Sequence, residues 1–142
     1  MEKAHILVLK HIKSGKVLAR KLEEDLKQYG LNRSEYTFLG YLDTYGRQPI
    51  QVMTSFLDLT SGTMTYLVNK LIKKGYVERE QSTEDKRIFY VNLTDYGKKY
   101  YDDMSNKHLV YVDKMISGVL NEEEKKTLGH LLTKLGKGLD SD

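Results

Sequence analysis

A mainly α-helical chain with one small β-wing is the fold class this sequence predicts, and three observations predict it. Apolar residues recur at helical spacing through most of the 142 residues. Turn and cap residues at Tyr29-Gly30, Tyr45-Gly46, Gly75 and Gly118 cut that pattern into helix-sized pieces. Only between Tyr76 and Leu93 does the period fall to two, around a polar tip.

The first helix is expected over residues 2–28, with Ile6, Leu9, Val17, Leu18, Leu22 and Leu26 on its apolar side and Tyr29-Gly30 ending it. Asn32 or Ser34 can cap a second helix carrying Tyr36, Phe38, Leu39 and Leu42. Pro49 suits the first turn of a short third helix with Ile50, Met53, Phe56 and Leu57. After the tight turn Asp58-Leu59-Thr60, a fourth helix over 61–74 sets Met64, Leu67, Val68 and Leu71 on one stripe, and Gly75 closes it. Two strands follow, Tyr76-Val77-Glu78-Arg79 and 88–93, with Phe89, Val91 and Leu93 alternating onto one face. Thr94 or Asp95 can cap a long helix over 96–118. Asn121 with Glu124 resembles a capping box for a last helix bearing Leu128, Leu131, Leu132, Leu135 and Leu139.

Composition narrows the function classes. Without cysteine the chain has no disulfide, thiolate zinc site or thiol redox switch. Its apolar runs are too short to span a bilayer and the N-terminus has no cleavable signal pattern, so a soluble, cytoplasmic protein with no membrane partner is expected. The net charge of +3 is uneven: residues 61–100 hold 8 basic and 5 acidic side chains against 6 and 8 in residues 101–142, which makes the middle basic and the tail acidic. His5, His11, His108 and His130 have no metal-ligand spacing, and there is no phosphate loop or nucleophile motif. No cofactor, no metal site and no catalytic residue is therefore expected. Pro49 is the single proline, and no linker or repeat marks a boundary, so residues 1–142 read as one domain.

A short helix, a tight turn, a second helix and an immediate hairpin form the layout of a winged helix-turn-helix. On that layout the fourth helix enters a major groove of double-stranded DNA. Thr63, Thr65 and Asn69 are placed to reach base edges, with Ser61 and Lys70 on phosphates. At the hairpin tip, Asp85 can hold the Arg87 guanidinium extended beside Lys86, ready for a narrow minor groove. Each of these groups could equally be the solvated surface of an amphipathic helix and a surface ion pair.

The run Asp85-Lys86-Arg87-Ile88-Phe89-Tyr90-Val91-Asn92-Leu93-Thr94-Asp95-Tyr96-Gly97 resembles the wing signature of the multiple antibiotic resistance regulator (MarR) family, D-x-R-x-x-x-V-x-L-T-x-x-G, at every fixed position. Residues 65–79 are similar to that family's recognition helix, closing glycine and first wing strand. One departure is Tyr66, where many members carry arginine. Tyrosine can stack on a sugar or give one hydrogen bond but cannot grip guanine with two.

The resemblance implies a winged helix-turn-helix core over 34–94, flanked by helical dimerisation arms at 1–30 and 96–140. The arms carry more apolar surface than the core can cover, which itself asks for a partner. A two-fold homodimer would then read a pseudo-palindromic operator. The resemblance further implies a repressor released by a small aromatic or anionic effector. Lys10, Lys13 and Tyr36 are the candidate residues bordering its cleft. The alternative is a winged-helix protein-interaction module without specific DNA binding.

Overall fold

The computed structural model describes residues 1–140, which divide into two compact units between Asn106 and Lys107. The first unit contains α1 (Lys3–Lys27), α2 (Arg33–Tyr45), β1 (Gln48–Pro49), α3 (Ile50–Leu57), α4 (Ser61–Lys73), β2 (Val77–Gln81), β3 (Phe89–Leu93) and the first half of α5 (Asp95–Ser117). The second contains the rest of α5 and α6 (Glu122–Leu139). The order of helices and hairpin is the expected one. The addition is β1, which pairs Gln48 with Val91 and Pro49 with Tyr90 and turns the hairpin into a three-stranded antiparallel sheet of order β1-β3-β2. Proline is tolerated there because β1 is an edge strand, where one amide has no ladder partner to lose.

Helix starts follow from short polar side chains. Of the two candidates at α2, Asn32 is the cap: its Oδ1 accepts from Glu35 N at 2.8 Å, and Glu35 Oε1 accepts from Asn32 N at 2.9 Å. The same reciprocal box joins Asn121 and Glu124 at 2.9 and 3.0 Å. Thr60 caps α4, its Oγ1 accepting from Thr63 N at 3.2 Å. Asp58, at φ 53°, ends α3 in the left-handed region that Asp enters at lower cost than most residues.

The core of the first unit gathers around Phe38, Leu39, Met53, Met64, Leu71 and Val91, all buried. Full burial of each such side chain stabilises the fold by roughly 1.5–3 kcal/mol before entropy is subtracted. The apolar stripe of α4, Met64, Leu67, Val68 and Leu71, is part of that core.

The segment Leu93-Thr94-Asp95-Tyr96-Gly97 knots the end of α4 to the start of α5. Gly75, at φ 81°, lets the chain leave α4 with Gly75 N bonded to Ile72 O at 2.9 Å and Tyr76 N to Leu71 O at 3.0 Å. Thr94 Oγ1 then donates to Gly75 O at 2.6 Å and accepts from Gly97 N at 2.9 Å, while Thr94 N donates to Tyr76 O at 3.1 Å. A Cβ on Gly97 would overlap the Tyr76 carbonyl. The Tyr76 ring stacks on Tyr100 with centroids 4.3 Å apart.

Helical arms leave apolar faces uncovered. On α1, Leu26 is buried, yet Ile6, Leu9, Val17 and Leu18 of the expected stripe are exposed, with Leu7, Val8 and Ile12 beside them. On α6, Leu128, Leu131, Leu132, Leu135 and Leu139 are all exposed. Within the second unit, Lys125 Nζ bonds Ser117 Oγ and Glu122 Oε1, each at 2.6 Å.

Candidate nucleic-acid interface

The outer face of α4 is set by helix periodicity. At 100° per residue, Gly62, Tyr66, Asn69 and Lys73 fall opposite the buried stripe of Met64, Leu67, Val68 and Leu71. Tyr66 is 71% exposed, so its ring projects from the middle of that face. Ser61, Thr63 and Thr65 are exposed at the helix start, where Thr65 Oγ1 donates to Ser61 O at 2.9 Å and Thr60 Oγ1 to Thr63 Oγ1 at 2.8 Å.

Lys70 stands apart from the other expected site residues. It lies on the flank of α4, and its ammonium is 3.3 Å from Oε2 of the buried Glu35 on α2. Lys73 occupies the row of Tyr66 and Asn69 instead. Sequence reasoning passed over Lys73, although its spacing from Tyr66 and Asn69 is the signal that finds it.

The wing tip is built by its own polar groups. Ser82 Oγ accepts from the backbone N–H of Glu84 and of Asp85, each at 3.2 Å. Asp85 Oδ1 accepts from Arg87 N and Nε, and Oδ2 from an Arg87 terminal nitrogen, all at 3.0 Å. These bonds hold the Asp85 carboxyl below its ordinary value and the guanidinium above its own. The Arg87 side chain is nonetheless 89% exposed, a cation fixed in direction and open to solvent. Lys86 lies beside it, its carbonyl accepting from Gln81 Nε2 at 2.8 Å.

Between α3, α4 and the wing lies a hollow of about 620 Å³ walled by Gln51, Thr54, Ser55, Ser61, Thr65 and Arg79, among others. Arg79 lies over the Phe89 ring at 5.1 Å. Sequence reasoning missed Arg79 as well; its only mark is a basic residue that is exposed although it shares a strand face with buried Val77.

Comparison with known proteins decides the family. A profile described as the MarR family matches residues 31–89. An uncharacterized HTH-type transcriptional regulator of Bacillus subtilis, YkoM, is 39% identical over 79% of this chain and 72% of its own. The HTH-type transcriptional regulator MhqR of Bacillus subtilis is 33% identical over 81% of this chain and 79% of its own. The chain belongs to the MarR family. The crystal structure of Sco3205, a MarR family transcriptional regulator from Streptomyces coelicolor in complex with DNA, shares the fold with a TM-score of 0.84 at 24% identity, covering 96% of this chain and 87% of that one. The chain is thus a winged helix-turn-helix transcriptional regulator of the MarR type, mainly helical with a small antiparallel sheet.

Of the expected effector residues of this MarR-family chain, Tyr36 stands in the wall of a hollow. Tyr36 and Tyr101, with ring centroids 5.7 Å apart, share the wall of a hollow of about 330 Å³ with Gly40, Tyr41, Tyr45 and Phe56; Lys10 and Lys13 are not in that wall. Both lysines are exposed on α1. Burial, with Tyr36 and two carboxylates nearby, raises the Tyr101 hydroxyl well above its ordinary value, which keeps it protonated. Among the described residues, no three His, Cys, Asp or Glu side chains gather as metal ligands, and no helix is long and apolar enough to cross a membrane.

Proposed function

We propose that this MarR-family chain binds a specific double-stranded DNA operator in the cytoplasm as a homodimer, representing a repressor that a small effector releases. The observation that carries the reading is the wing tip, where Asp85 directs an exposed Arg87 outward. A narrow minor groove concentrates negative potential and rewards a pre-oriented arginine there. Alongside it, α4 offers Tyr66 and Asn69 to base edges and Lys73 to a phosphate, with Thr63, Thr65 and Ser61 at its start. The hollow between helix and wing sets Arg79 and the hydroxyls of Thr54, Ser55, Ser61 and Thr65 beside Asp58 and apolar side chains, and Arg79 with the hydroxyls supports a contact to the sugar-phosphate strand there.

The uncovered leucines of α6 and the uncovered apolar face of α1 support two helical arms completed by a second copy. A two-fold pair would hold its recognition helices roughly 34–36 Å apart, one turn of duplex, on a pseudo-palindromic site. For release, the hollow beside Tyr36 and Tyr101 supports a small aromatic effector, because a wall of tilted aromatic rings favours flat apolar guests.

Selection from random duplexes, followed by sequencing, tests the reading. Enrichment of one pseudo-palindrome is the expected outcome. Recovery of no specific duplex would overturn it and leave a winged-helix protein-interaction module.

A further inference from the structure

The end of the recognition helix is tied to the corner between α1 and α2 by three separate contacts. Lys74 Nζ donates to Gly30 O at 2.6 Å. Lys70 Nζ lies 3.3 Å from Glu35 Oε2. Tyr100, whose ring stacks on Tyr76 at the end of α4, donates its hydroxyl to Tyr29 O. Burial raises the Tyr100 hydroxyl well above its ordinary value, so it stays a donor.

Glu35 is the unusual member. It is 1% exposed, its Oε1 is used by the cap of α2, and its Oε2 receives no hydrogen bond among the described residues. A carboxylate desolvated to this degree needs a counter-charge, and Lys70 is the cation that stands against it. The pair lies in the wall of a cavity of about 400 Å³ that Gly30, Leu31 and the α1 residues Arg20 and Lys27 also line, away from the outer row of Tyr66, Asn69 and Lys73.

We propose that Glu35 and Lys70 are positioning residues for DNA reading: the buried carboxylate holds Lys70 against the α1–α2 corner, and so fixes the direction in which α4 presents Tyr66 and Asn69. Lys70 on this account is not a phosphate contact. Glu35, with no atom on the outer face of α4, governs specific affinity through it. The inference rests on the operator-binding reading above.

The two roles of Lys70 separate in salt titrations. A lysine that neutralises a phosphate releases about one counterion, so removing it lowers the salt slope by about 0.9 and weakens specific and non-specific binding together. A positioning lysine leaves the slope intact and costs specific affinity alone. Lys70→Met by itself strands a buried carboxylate and risks the fold, so the decisive variant is E35Q/K70M, which removes both charges and keeps an amide oxygen for the Asn32 cap. With the full-length protein, the selected operator and a scrambled duplex, E35Q/K70M is expected to lose specific affinity about tenfold, with the salt slope and the scrambled-duplex affinity unchanged. Lys70→Arg, which can still pair with Glu35, is expected to keep the wild-type ratio of specific to scrambled affinity. A slope reduced by about one, with both duplexes weakened alike, would overturn the proposal, as would wild-type discrimination in E35Q/K70M. Failure of the unmutated protein to prefer any duplex is a distinct result that removes the operator-binding reading and this inference with it.

Discussion

At the scale of single residues, Arg87 shows how a surface ion pair can matter without stabilising the fold. The pair is exposed, and such pairs contribute little to stability. On the proposed reading its effect lies in direction: two bonds from the guanidinium and one from the Arg87 backbone N–H to one carboxylate remove most of the side chain's freedom. Arg87→Ala is expected to weaken operator binding and lower the slope of log affinity against log salt by about 0.9, read by fluorescence anisotropy over a salt series. The pH dependence has a definite sign. Because Asp85 is held below its ordinary value, its pairing is fully present above the unfolded-state pKa and is lost only as pH falls through the depressed one. A carboxyl titration by NMR should therefore give Asp85 a midpoint below that of unpaired aspartates, and Arg87→Ala should move it upward. Gly97 carries the opposite kind of demand, one of space. Its absent side chain lets α5 start against the Tyr76 carbonyl, so Gly97→Ala forces the backbone apart. A loss of about 1–3 kcal/mol or more is expected in urea unfolding, and no loss would refute the close approach.

Elements are where the sequence speaks most clearly, and where its silence has a physical cause. Thr60 starts α4 through a bond to Thr63 N that no other side chain supplies among the described residues. Thr60→Ala should cost about 1 kcal/mol by denaturant melting, and operator affinity should fall with it, because Ser61 and Thr63 lose their fixed start. That cap, the box at Asn121 and the glycine exit at Gly75 are local chemistry, written within four residues, and the box and the exit were readable. β1 was not. A two-residue strand has no alternation to detect, and its partner β3 is remote in sequence. The ion pair of Lys70 was hidden for a related reason. Nothing near it in the chain reveals that Glu35 of α2 is buried against it, whereas Lys73 could have been found by continuing the Tyr66 and Asn69 row one turn further. The pairing of Asp85 with Arg87 at the wing tip was legible both by type and by resemblance. Arg79 was hidden because a hollow formed by α3, α4 and the wing has no linear signature. The effector residues divide likewise: Tyr36 stands in an aromatic-walled hollow, while pairing it with Lys10 and Lys13 rested on segment order alone.

For the whole molecule the decisive quantity is apolar area without a cover. Leu128, Leu131, Leu132, Leu135 and Leu139 follow the spacing of one helical stripe, and all are at least 43% exposed. On α1, Ile6, Leu7, Val8, Leu9 and Ile12 are exposed too, spread around the helix rather than along one stripe. Exposed apolar surface of this extent on two helices is what an obligate interface presents when one partner is taken away, because such interfaces are as apolar as a domain core cut in half. Light scattering of the unmutated protein at micromolar concentration should give twice the chain mass. Leu131→Asp with Leu135→Asp places two charges in the middle of the α6 stripe, and charges left unpaired in an apolar interface cost far more than they do in water. That variant is expected to scatter as a monomer or to aggregate, while a variant with Lys126→Asp, on the same helix but off the stripe, remains dimeric. Operator binding should fall with the dimer, since one recognition helix alone keeps only half of the phosphate contacts and so about half of the salt slope. A double-aspartate protein that still scattered as a dimer and bound with the full slope would show that α6 is not part of the interface.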